Sequence, residues 1–253
     1  MNQWIERIKD EVAQAWTVAL KDVRVYYLRP GMIMFGFLMP FFMFFSFSVR
    51  REVGAAEGVA RLLAMTVFFT AGAEGPFIIP TERAIGTYDR LLAAPMSLLT
   101  LLLGKTAVGA FFAIAVSGVA LLAGLLFFGT TILQPGLLVA GILLGAFSFS
   151  TLGLAFGSMP TTNPGDVQMP STLLRWVLLF ISGVFIPLSD MAPIARAIAY
   201  FSPLTYAQDV MNHAVLGSGL LNPWLDLAML ALSGILLLGP SIKMHQRARV
   251  LGR

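Results

Sequence analysis

Apolar residues run in long blocks along the chain, and polar residues are confined to the joints between them. Blocks at 31–49, 59–79, 106–128, 135–158, 171–188 and 224–242 each approach the roughly 20 helical residues that cross a hydrocarbon layer about 30 Å thick. They predict an all-α polytopic membrane protein with six transmembrane helices. The fifth block is short and carries Arg175 near its start. Residues 1–30 follow another rule. Ile5, Ile8, Val12, Trp16, Ala19 and Val23 recur at helical spacing in one narrow stripe, while Lys9, Asp10, Gln14, Thr17 and Lys21 fall largely outside it. With Trp4 and Trp16, this pattern predicts an amphipathic helix lying in the membrane interface. The alternative is a soluble helix packed on another subunit.

The most polar joint, 79–97, reads IPTERAIGTYDRLLAAPMS. On a helical wheel Ile85, Tyr88, Leu91, Leu92 and Pro95 share an apolar arc, and Glu82, Arg83, Thr87, Asp89 and Arg90 take the rest. A short amphipathic helix over 81–95 follows, with Thr81 as its cap and Glu82 at the positive end of its dipole. Its polar face mixes both signs. A helix resting on anionic lipid carries an excess of Lys and Arg, so mixed charge suits a protein partner better.

Composition strengthens the membrane reading: 57% of residues are hydrophobic and 12% charged, against about 25% charged in an ordinary soluble domain. Twelve of the lysines and arginines gather on the side that holds both termini and the 81–95 joint, and four on the other. That bias predicts cytoplasmic termini in an inner, multi-pass membrane location. The net charge of +4 therefore reports orientation and not nucleic-acid binding. The charged first 30 residues lack the short apolar core and small-residue cleavage site of a signal peptide. Without cysteine, thiolate chemistry and Cys-based metal sites are excluded.

Two motifs carry a resemblance. The pattern E-R-x-x-G-T-x-D-x-L-x-x-x-P-x-S, with Glu82, Arg83, Gly86, Thr87, Asp89, Leu91, Pro95 and Ser97, resembles the coupling segment of type-two ABC exporter permeases. Downstream, S-G-x-x-[FI]-P at 182–187 followed by P-L-T-Y at 203–206 is similar to that family's fifth span and the external segment after it. The resemblance covers essentially the whole chain. It implies one transmembrane domain over 1–253, with an interfacial helix (1–30), five spans and a coupling helix (31–188), an external segment (189–223) that dips into the outer leaflet, and a sixth span with a basic tail (224–253). It also implies a separate ABC ATPase that binds ATP and magnesium, and a second copy or a paralogous permease. The ATPase-coupling candidates are Glu82, Arg83, Gly86, Thr87, Asp89 and Arg90.

The sequence agrees that the motor lies elsewhere. LGKT at 103–106 lacks the glycine that a phosphate-binding loop places five residues before Gly104; Leu99 stands there. No metal spacing surrounds His213 or His245, which are expected to be solvated or capping, and no catalytic or cofactor-binding residue emerges. The Phe-rich first span offers Phe37, Phe41 and Phe44 as cavity-lining candidates, and Pro40 is expected to kink it. Glu74 and Arg175 lie at one depth on the second and fifth spans and are expected to pair at the inward mouth of a cavity; independent snorkelling is the alternative. Gly141, Gly145, Gly153 and Gly157 line one face of the fourth span, where close packing within the subunit is expected. The function expected is export of a hydrophobic, drug-like molecule or a lipid-linked glycan. An ion-gradient transporter or channel is the rival, although it predicts inverted repeats and several intramembrane charges; a membrane scaffold is the third reading.

Overall fold

The computed structural model describes residues 2–27, 30–48, 54–73, 75–94 and 96–251, and these are all-helical apart from their connections. In order they form α1 (Asn2–Asp22), a π-helical turn (Val23–Tyr27), α2 (Pro30–Ser48), α3 (Ala55–Gly72), α4 (Gly75–Ala84), α5 (Thr87–Ala93), α6 (Leu98–Phe128), α7 (Pro135–Gly157), α8 (Pro164–Ile181), a 3-10 turn (Leu188–Asp190), α9 (Pro193–Ala199), α10 (Pro203–Leu216) and α11 (Pro223–Leu251). Prolines open α7, α8, α9 and α10 at the first turn, where a missing N–H costs nothing. Ser97 caps α6 by accepting the Thr100 N–H at 3.0 Å.

Four helical segments are long and apolar enough to cross a membrane: Ala55–Ala84, which runs across a position outside the described residues, Leu98–Phe128, Pro135–Gly157 and Pro223–Gln246. The first and fifth predicted spans correspond to α2 and α8, which do not meet that measure over their described residues. The fifth span is also displaced. Instead of 171–188, its helix is α8, Pro164–Ile181. It stops before Gly183, whose φ of +86° is a conformation open to glycine and strained for any other residue. The second predicted span is two helices, because α3 ends at Gly72 and α4 opens with Gly75-Pro76.

The core is centred on α3, which α2, α6, α7 and α10 cover. Its buried residues run almost without interruption from Gly58 to Gly72. A helix apolar all round belongs inside. By contrast, α6 and α11 expose long apolar rows, including Phe111, Leu122, Leu126 and Phe127 on α6 and Ile235 and Leu236 on α11. Such a belt would aggregate in water and is at ease in lipid. Small residues set the spacing between helices. A Cβ on Gly153 would fall 2.5 Å from the Gly72 carbonyl oxygen, and one on Gly157 would fall 2.3 Å from that of Gly75. Gly141 and Gly145 pack against Val210 and Val67, so the whole glycine face of α7 serves packing within the subunit.

At the N-terminus, α1 lies along α6. Its contact is made by Val18, Ala19 and Asp22, and Gly104 of α6 lets the Ala15 backbone approach closely. Val12, Trp16 and Leu20 remain exposed, whereas Ala19 and Val23 of the same predicted stripe pack inward with Val108 of α6.

Candidate functional site

The joint between α4 and α6 is the most polar part of the bundle, and its geometry differs from one continuous 81–95 helix. Thr81 lies inside α4 and donates to the Phe77 carbonyl at 2.7 Å, so it is no cap. The chain turns at Gly86, whose φ of +72° suits glycine, and α5 begins at Thr87. Pro95 lies outside the described residues.

Glu82 and Arg83, expected on an outer polar face, point inward. Glu82 is fully buried and ion-paired to Lys21 of α1 and, at 2.7 Å, to Lys105 of α6. Asp22 completes the ring, 2.8 Å from Lys21 and 3.1 Å from Lys105. Two ammonium groups thus alternate with two carboxylates, which is how buried charges are tolerated. Burial opposes the Lys21 charge, but Asp22 and Glu82 outweigh it and hold its pKa above the ordinary lysine value. This ring explains the GKT of α6: Gly104 admits α1 and Lys105 pairs beneath it. Lys105 is itself buried.

Arg83 donates to the Met159 carbonyl and lies over the Tyr88 ring, 5.1 Å from its centroid. Tyr88 is buried and its hydroxyl meets His245 Nδ1 of α11 at 2.5 Å. On the far side of that ring, Nε2 lies 3.0 Å from Ser158 Oγ, which donates to the Leu154 carbonyl at 2.8 Å. The chain of donors assigns the tautomer: the Tyr88 hydroxyl donates to Nδ1, and Nε2–H donates to Ser158. Burial pushes the Tyr88 phenol up to about 12, so it remains a donor. His245, expected to be solvated or capping, is instead fully buried and ties α5, α7 and α11 together. His245→Ala strands the Tyr88 hydroxyl and leaves Ser158 with only its bond to the Leu154 carbonyl. It should lower unfolding stability by about 1–3 kcal/mol, read by thermal unfolding in detergent.

Between these inward groups, the Gly86 turn and α5 present a different face to the outside. Ile85, Asp89 and Arg90 are exposed, and Thr87 is half-buried, donating to the Glu82 carbonyl at 3.3 Å. The helical wheel places Ile85 on the apolar arc; it is 62% exposed because the Gly86 turn rotates it off the arc of Tyr88, Leu91 and Leu92. The exposed residues therefore comprise one large apolar side chain and two opposite charges.

Of the cavity candidates, Phe37 and Phe41 stack at 4.7 Å and line an open, almost wholly apolar groove of about 1320 Å³ between α2 and α6. Phe44 does not line it. Its ring is buried edge-to-face against Phe128, 6.3 Å away, because its position on α2 faces the core. Glu74 lies outside the described residues, and with it the expected Glu74–Arg175 pair. Arg175 is buried on α8 and donates to the Gly72 carbonyl.

Sequence reasoning missed Asp22, Ser158 and His245 as members of these networks. The one available signal was the pairing of acid and base at Lys21-Asp22, just where the amphipathic helix ends.

Long lipid-compatible helices, an amphipathic N-terminal helix and a charged joint after the second apolar block define a polytopic membrane protein. The sequence profile described as ABC-2 type transporter matches residues 13–216. The chain belongs to the ABC-2 type transporter family, as a permease-type membrane component. Comparison with curated protein sequences returns no match.

Proposed function

We propose that this chain is the membrane-spanning subunit of an ATP-driven ABC exporter, with α5 as the coupling helix on which a separate ATPase docks. The observation that carries the reading is the two-sided build of α5 and the Gly86 turn before it. Tyr88, Leu91 and Leu92 fix its back to the bundle, with Tyr88 reaching α11, while Ile85, Asp89 and Arg90 are offered outward. A push on that face passes to α7 and α11 through His245 and to α1 and α6 through Glu82. On this reading α2 and α8 are the first and fifth of six spans, both termini are cytoplasmic in the inner membrane, and 189–223 closes the outer end by dipping into the leaflet. Two copies, or one copy and a paralogue, enclose the path. ATP and magnesium are bound by the ATPase alone. The apolar groove beside Phe37 and Phe41 supports a hydrophobic or amphipathic, drug-like substrate; a lipid-linked glycan is the second class.

Co-expression with an ATPase encoded beside this chain tests the reading. The expected product is a stable complex whose ATP hydrolysis responds to substrate. Asp89→Lys and Arg90→Glu reverse rim charges and should each weaken ATPase association about tenfold, the effect of roughly 1.4 kcal/mol, with thermal stability unchanged. Unaltered association and ATP turnover in both variants would remove α5 as the docking element.

A further inference from the structure

At the other end of the bundle, three side chains that the transport reading does not use converge. Asp226 of α11 stands 19 residues before His245 in the chain, on the order of 28 Å along the helix. Its carboxylate, Asp209 and His213 of α10 each bring a ligand atom within 4.8 Å of the others. Asp209 is already engaged: its two oxygens accept the Leu220 and Leu221 N–H groups at 2.8 and 2.7 Å. Those bonds fold the 217–222 turn over the cluster. His213 Nε2 lies 2.8 Å from the Leu221 carbonyl oxygen and 3.8 Å from Asp209 Oδ2.

Asp226 is the unusual member. It has no exposed surface, and neither carboxylate oxygen meets a hydrogen-bond donor among the described residues. A buried carboxylate facing another carboxylate needs either a cation between them or a shared proton. Arg61, which lines the adjoining pocket, is paired with Glu57.

We propose that Asp209, His213 and Asp226 form a binding site for a divalent cation of the Zn²⁺ or Mn²⁺ class. One imidazole and two carboxylates, without thiolate, match the donor preferences of those ions. A cation bound at about 2.1 Å holds its ligands roughly 3–4 Å apart, so a small closure of the trio completes the site. Nε2 takes the ion in place of its proton, and the Leu221 carbonyl is placed to serve as a fourth donor. Gly219 lines the cradle: a Cβ there would fall 2.3 Å from His213 Nε2 and 2.9 Å from Asp209 Oδ1. The ion fastens α10, the 217–222 turn and the start of α11 into one unit.

The test uses the full chain purified in detergent and stripped with a chelator. Mn²⁺ binding is followed by loss of the free-ion electron paramagnetic signal, Zn²⁺ binding by calorimetry, and stability by thermal unfolding, with Ca²⁺ and Mg²⁺ as comparison ions. The expected result is one saturable Mn²⁺ or Zn²⁺ per chain and a raised unfolding temperature. Asp226→Asn should weaken binding at least tenfold. His213→Gln, which keeps a donor for Leu221, and Gly219→Ala should weaken it as well, and they carry the test should Asp226→Asn fail to fold. The proposal is overturned by the lack of saturable binding, by wild-type affinity in the variants, or by preference for Ca²⁺ or Mg²⁺. Metal-indifferent stability that falls as pH rises, with Asp226→Asn more stable than wild type, would show a shared proton instead and overturn it equally.

Discussion

Glu82→Lys should eliminate the folded protein and not merely its coupling to a partner. Glu82 is fully buried and receives Lys21 from α1 and Lys105 from α6. The substitution sets a third ammonium among them, with Asp22 as the remaining carboxylate of the ring. Breaking a buried ion pair on one side costs about 3–5 kcal/mol, and reversing the charge costs more, against a net stability of roughly 5–15 kcal/mol for a typical domain. The expected readout is loss of a monodisperse peak on size exclusion and release of α1, detected as protease sensitivity before residue 28. Glu82→Gln keeps the shape without the charge and should be milder. The contrast with Asp89→Lys, on the exposed face of the same joint, is the informative comparison. A Glu82→Lys protein with wild-type unfolding temperature would show that the ring does not hold the bundle together.

Gly75→Ala should be almost as damaging, although it adds a single methyl group. That Cβ would lie 2.3 Å from both the carbonyl carbon and oxygen of Gly153. Both neighbours are backbone, so no side chain can swing aside and α4 must move off α7. Overpacking typically costs 1–3 kcal/mol, and a backbone-to-backbone clash should sit at or above the top of that range. The control is Gly118→Ala on α6, where a Cβ meets nothing within 4 Å; helix propensity there favours alanine by up to about 1 kcal/mol. Thermal unfolding of the two variants side by side should show a large fall for the first and none for the second. Equal behaviour would mean that α4 and α7 pack less closely than the glycine contacts indicate.

Much of the architecture was legible because helices report themselves locally. Apolar length set the long helices, and the stripe through Val12 and Trp16 set α1, because each needs only the 3.6-residue period. The ERAIGT stretch likewise marked the polar joint and carried the family resemblance. Its internal geometry was not legible. A wheel drawn through 81–95 assumes one unbroken helix, whereas Gly86 adopts φ +72° and resets the phase. That single turn sends Ile85 outward and leaves Glu82 and Arg83 on the preceding helix, facing in.

What the sequence determined by itself is the character of each segment: which stretches suit lipid, which helix is amphipathic, and where polarity interrupts them. Those properties follow from the residue types in one short window. The tertiary structure alone decided the partners. Lys21 and Glu82 are 61 positions apart, and Tyr88 and His245 are 157 apart, so no periodicity links them. A charge or an imidazole in the chain carries no mark of being solvated or buried. Its state is settled only when another helix brings the opposite charge or the matching donor, because a polar group can leave water only where such a partner replaces it.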